Sequence, residues 1–200
     1  MEKNRMENLS DGVFAIVITL PILFIKFPDF KPEAYEGRMH QYMMSLIPIL
    51  LSYLLTFWII GILWHFHHTI FSFIKRMDAA IMWLNLVYLL FVAFLPFTTG
   101  LLAIFSSKLF PLILYSAVLV LTGISRSALL YYIYRHPDHA VNKDILGRVY
   151  YNLRISMFGP AVHLAAIAFA FLSVVVSYVL LALVPLLYML IRYPKHQDGD

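Results

Sequence analysis

The sequence predicts an all-α integral membrane protein: six transmembrane helices in a single domain over residues 1–200. Three observations predict it. Hydrophobic residues make up 62% of the chain and charged residues 13%, where soluble domains hold about 45–50% and about 25%. Mean hydropathy is +0.79. Apolar runs long enough to cross a bilayer, about 20 residues, recur along the chain, and the period-two alternation of a membrane β-barrel is absent. The 16% aromatic content excludes disorder. With no cysteine, disulfide scaffolds, Cys-ligated zinc, iron–sulfur clusters and thiol chemistry are excluded as well.

The first span runs from about Asp11 to Phe27, the second from Met43 to Phe71 and the third from Asp78 to Phe105. The fourth covers Leu109 to Tyr134. One apolar stretch from Val149 to Tyr193 is twice a span long, so it divides near Ser173–Ser177 into a fifth (149–172) and a sixth (174–193). The N-terminus mixes Glu2, Glu7 and Asp11 with its basic residues and lacks a small-residue cleavage site, so it does not read as a signal peptide. Only Arg135–Arg148 and Lys26–Gln41 have room for structure outside the bilayer.

Lysine and arginine placement sets the expected orientation. Six spans put Lys3, Arg5, Lys75, Arg76, Arg135, Lys143, Arg148, Arg154, Arg192 and Lys195 on one side, against Lys26, Lys31, Arg38 and Lys108 on the other. Both termini are therefore expected in the cytoplasm, as in a multi-pass protein of the cell membrane. The net charge of +4 marks these loops rather than a nucleic-acid partner. Arg126 lies inside the fourth span, about two turns from its end, where a long side chain snorkels.

The first span is short and is entered through Arg5-Met6-Glu7-Asn8-Leu9-Ser10-Asp11. An ionisable group there is costly unless paired or solvated. One reading is a helix start with Ser10 or Asp11 as N-cap; the other is a polar knot that anchors the helix. Beyond it, Ile16, Leu20 and Leu23 share one helix face, flanked by Thr19. Such a stripe packs against neighbours or, in a symmetric oligomer, rings an axis as a hydrophobic constriction. Pro21 removes the bond to the Val17 carbonyl, so a kink is expected there.

The second span ends in Trp64-His65-Phe66-His67-His68. His65 and His68 share a face, which keeps a histidine-box membrane metalloenzyme open as an alternative function; a small transporter or non-conducting scaffold is another. One histidine cluster falls short of the several boxes such enzymes need, so hydrogen bonding by Trp64 and His67 is the preferred reading, with neither metal nor cofactor expected. Asn85 is a further intramembrane polar group in need of a partner. His163 and Pro160 read as packing and kink. No phosphate-binding glycine loop, nucleophile elbow or pair of intramembrane carboxylates is present.

Arg5-x-x-x-Leu9-Ser10-Asp11, followed by Gly12-Val13-Phe14-Ala15-Ile16, resembles the bacterial branch of the transmembrane protein 175 family, the lysosomal potassium channels. The resemblance extends through Trp64-x-x-His67-x-x-x-Phe71 and Trp83-Leu84-Asn85-Leu86, and covers the first three spans. Leu9 stands where the family usually has Phe. The resemblance implies six helices per chain, a homotetramer in the lipid bilayer, and a first helix lining a central pore with K+ as the permeant ion. The pore layers then fall on Ile16, Leu20 and Leu23, with Ile16 narrowest and Thr19 at a position tied to selectivity. Arg5, Ser10, Asp11, Trp64, His67 and Asn85 become the polar scaffold of that helix. The sequence contains no Thr-Val-Gly-Tyr-Gly filter, so the implied activity is a weakly selective cation channel. Its neck discriminates because potassium sheds water more readily than sodium.

Overall fold

The computed structural model describes residues 2–24, 37 and 39–190. The far ends of the first and sixth spans lie outside the described residues, as do Lys26, Lys31, Arg38, Arg192 and Lys195. Among the described residues seven α-helices follow one another: α1 (Lys3–Thr19), α2 (Met39–Phe73), α3 (Ala79–Ile104), α4 (Leu109–Arg135), α5 (Leu146–Ser156), α6 (Phe158–Ala170) and α7 (Val174–Leu190). Among the described residues five stretches are long and apolar enough to cross a membrane: Lys3–Leu23, α2, α3, α4 and Lys143–Ala170. A shorter apolar helix covers Val174–Tyr188. The molecule is thus a multi-span helical membrane protein.

The first helix starts at Lys3 with Glu2 as its N-cap residue. Ser10 and Asp11 therefore sit inside the helix, which rules out the reading of either as its cap. Hydropathy begins the span at Asp11, but Lys, Arg, Met and Glu are good helix formers and carry the helix back through the polar stretch. At the other end Pro21 does more than kink the helix. The α-helix closes with the Leu20 N–H on the Ile16 carbonyl, and Leu20–Phe24 continue as a 3-10 segment.

The fifth span is broken into α5 and α6 at Met157, and Pro160 is the cause. It has no N–H to give the Ser156 carbonyl four residues back. One residue earlier the helix is interrupted as well. The Gly159 N–H donates to the Tyr188 hydroxyl at 3.0 Å, and that hydroxyl lies 3.4 Å from the Ile155 carbonyl. Tyr188 thus stands inside the helical ladder and bridges the bond it displaces. The turn before α7 falls at 171–173; there the Ser177 hydroxyl of α7 donates to the Ala166 carbonyl of α6 at 2.8 Å.

In the bundle α3 packs on α4, α4 on α6, and α6 on α7, while α1 lies on α2 and α3. Burial is uneven: 61% of the apolar window of α4 is buried and 28% of that of α1. The main core gathers Phe14, Ile60, Tyr88, Leu95, Leu112 and Tyr115. Within it Thr56 bonds both the Thr99 and Tyr115 hydroxyls, at 2.9 and 3.0 Å, so three polar groups satisfy one another in the apolar interior. Close approach of α4 and α6 depends on Gly123: a Cβ there would overlap Pro160 Cγ and lie 2.7 Å from Pro160 Cδ.

A second core, with Met6, Phe71, Phe73, Ile81 and Ile133, closes the end of the bundle that carries the N-terminus. Two loops are clasped there. Ile74 and Ala140 form an isolated antiparallel bridge, and the Lys75 N–H reaches the His139 carbonyl at 2.7 Å. Asp78 caps α3 through the Ile81 N–H at 2.8 Å, accepts the Tyr132 hydroxyl at 2.6 Å, and lies 3.3 Å from His139 Nε2. Partial burial pushes the Asp78 carboxyl up, but the Ile81 N–H, the Tyr132 hydroxyl and His139 outweigh it and hold it below its ordinary value.

Candidate functional site: the first helix and its polar anchor

Two faces of α1 behave oppositely. Met6, Ser10, Phe14 and Val17 are buried, at the three- and four-residue spacing of one helix face. The other side is uncovered: Ile16 is 60% exposed and Leu23 72%, and Asn8, Asp11, Gly12, Ala15 and Thr19 are exposed beside them. Leu20 is half-buried and Pro21 buried. The Thr19 hydroxyl donates to the Ile16 and Ala15 carbonyls at 2.9 and 3.2 Å, so its proton stays within the helix and its lone pairs face outward. Leu9 is 46% exposed and so is no part of the protomer's core.

The buried face is held by a directional chain of hydrogen bonds. His67 Nε2 donates to Asn85 Oδ1 at 2.9 Å, the only sense open to a carbonyl oxygen acceptor. Asn85 Nδ2 donates to Ser10 Oγ at 3.1 Å, and Ser10 donates to the Met6 carbonyl at 2.8 Å. Asn85 thereby joins α1, α2 and α3 with both ends of its amide. The His67 ring stacks 4.3 Å from Phe71 and 5.8 Å from Tyr88, which fixes its plane.

On the exposed side the antiparallel pair of α1 and α2 carries two rungs. Asp11 Oδ1 accepts Trp64 Nε1 at 3.0 Å, and Glu7 lies 3.9 Å from His68 Nδ1. Each partner pair is four residues apart on its own helix, as adjacent turns require. Five of the six residues of the expected scaffold thus meet in two groups. Arg5 is exposed, and its guanidinium bonds none of the described residues. The three neighbouring histidines diverge: His67 turns into the core, while His65 and His68 are exposed. Among the described residues no cluster of three or more His, Cys, Asp or Glu is placed to hold a metal ion.

Comparison with known proteins bears on this arrangement. Residues 5–96 match the family model described as endosomal/lysosomal potassium channel TMEM175. A potassium channel of Chamaesiphon minutus is 33% identical over 190 residues, covering 88% of both chains. The chain belongs to the TMEM175 family. The TMEM175 match spans α1, α2 and most of α3, the three helices that Asn85 ties together. The crystal structure of a TMEM175 homolog from Chamaesiphon minutus, described as a lysosomal potassium-selective channel, superposes with a TM-score of 0.81 at 32% identity, covering 94% of this chain and 97% of that one. A potassium channel of Streptomyces collinus is 45% identical over 102 residues, 51% of this chain and 48% of its own length. The TMEM175 protein of Gallus gallus, named an endosomal/lysosomal proton channel, is 30% identical over 188 residues, of which 37% of its length takes part. This chain therefore spans about half or less of those two relatives.

Arg126 was expected to snorkel. Instead it is buried, 4% exposed, with its guanidinium 4.2 Å over the Phe66 ring and donating to the Ser156 carbonyl at 3.2 Å. The carbonyl that Pro160 frees is the partner it takes instead. A proline four residues after Ser156 is the sequence signal for such a carbonyl; nothing local says that residue 126 reaches it.

Proposed function

We propose that this TMEM175 family member assembles as a homotetrameric, potassium-permeable and weakly selective cation channel of the cell membrane, with α1 around the central axis and both termini cytoplasmic. The observation that carries the reading is the two-faced first helix. One side is anchored by Ser10, Asn85 and His67. The other leaves Ile16, Thr19 and Leu23 uncovered. Asn8 and Asp11 lie on that uncovered side, and polar side chains of this kind are poorly suited to lipid contact. A water-filled axis shared by four copies suits them. Two relatives are named potassium channels, which supports potassium as the permeant ion.

In this reading Ile16, Leu20 and Leu23 form the hydrophobic neck, Ile16 is its narrowest layer, and Thr19 tunes selectivity. Arg5, exposed on the first turn, is free to reach a neighbouring copy. Selectivity arises because entering an apolar neck strips water, at lower cost for potassium than for sodium.

Flux into vesicles containing the purified protein tests this, with potassium or sodium gradients applied to wild type and Ile16→Asn in parallel. Potassium flux above sodium, with the preference reduced in Ile16→Asn, is the expected result. An unchanged ratio and rate in the variant removes Ile16 from the neck. Equal leakage in vesicles with and without protein removes the channel.

A further inference from the structure

Away from α1, a cavity of about 30 Å³ lies between α2, α4, α6 and α7, lined by Phe66, Arg126, Gly159, Pro160, His163 and Tyr188 among others. Two of its lining residues carry unusual polar atoms. Arg126 Nε and His163 Nδ1 are both buried without a hydrogen-bond partner among the described residues. Each side chain is 4% exposed.

The charge balance is one-sided. Arginine stays protonated in any protein environment. Its neighbours here are the Ser156 carbonyl, the Phe66 face at 4.2 Å and the Tyr188 ring at 6.0 Å. These soften the charge without neutralising it, and among the described residues no carboxylate lines the cavity. A buried cation in an apolar site calls for a counter-charge. A single water-sized occupant needs about 10–15 Å³. At about 30 Å³ on the same measure, the cavity has room for such an occupant.

We propose that this cavity binds one small monovalent anion of halide size, with Arg126 as its charge partner and His163 as a second donor. In the tautomer bearing the proton on Nδ1, His163 donates to the anion alongside Arg126 Nε. The rest of the lining is mainly apolar, which favours the weakly hydrated halides. The site is remote from the uncovered face of α1 and does not depend on the channel reading.

The test uses the full chain purified in detergent, with one cation throughout and equal ionic strength of chloride, bromide or gluconate. Chloride and bromide are expected to raise the unfolding midpoint saturably, by about 3–5 °C over gluconate for a protein of this size. Arg126→Gln is expected to lose that rise. Crystals of the wild-type protein grown in bromide are expected to give an anomalous peak between Arg126 and His163. The wild-type map decides, so a variant that does not fold leaves the answer intact. No bromide peak in the cavity, whatever the midpoints do, overturns the proposal and leaves water as the occupant.

Discussion

Arg126 donates at 3.2 Å to the Ser156 carbonyl, the group that Pro160 cannot serve. Beside it the Tyr188 hydroxyl takes the Gly159 N–H at 3.0 Å. Two consecutive gaps in the helical ladder are thus closed by side chains from α4 and α7. The break between α5 and α6 is a joint where three elements exchange partners, and both displaced backbone groups find a side-chain partner.

Such a joint couples residues distant in sequence. Pro160→Ala supplies an N–H for Ser156, so in that background Arg126→Gln should cost less than in the wild type. The expected coupling in a double-mutant cycle is about 1 kcal/mol, read from denaturant or thermal unfolding in detergent. Strict additivity would mean that the carbonyl does not link them.

The α4–α6 contact should tolerate no added carbon at residue 123. A Cβ would meet the Pro160 ring, whose Cδ lies 2.7 Å away, and a proline ring has little freedom to yield. Gly123→Ala is expected to lose about 1–3 kcal/mol of stability, although alanine is the better helix former. A gain in unfolding midpoint would show that the helices separate freely.

Asn85 serves Ser10 and His67 together. Asn85→Ala should therefore destabilise by about 1–3 kcal/mol, two intramembrane hydrogen bonds at the measured scale. Adding Ser10→Ala to that variant should cost little more than Ala at residue 85 alone. A full second penalty would place Ser10's contribution elsewhere.

Asp78 predicts an acid-side effect. Its carboxyl is held below the ordinary value of 3.8, so the folded form binds fewer protons than the unfolded chain around that pH. The stabilisation is complete above the ordinary value and is lost as pH falls through the lower, folded one. Asp78→Asn keeps an oxygen for the Ile81 N–H but removes the titration. Its unfolding midpoint should fall less steeply than that of wild type between about pH 5 and about pH 3. Parallel curves would dissociate Asp78 from acid sensitivity.

Much of the architecture was legible because it is written in composition and run length. The apolar stretches located the bundle, and the intramembrane polar residues His67, Trp64 and Asn85 marked where helices must bond one another. What escaped were pairings between distant positions. Asp78 with Tyr132, or Arg126 with Ser156, have no signature in local spacing. The start of α1 escaped for a different reason: hydropathy reports burial in lipid, whereas Lys3–Ser10 are helical by propensity and by contact through Met6.

The three-way tie at Asn85 also bears on how the chain is made. Synthesis runs from the N-terminus, so Ser10 and His67 are made 75 and 18 residues before Asn85. Until the third helix arrives, each must find water or the insertion machinery as a substitute. The bonding of the first two helices is therefore complete only once the third helix brings in a single amide, 75 residues downstream of Ser10.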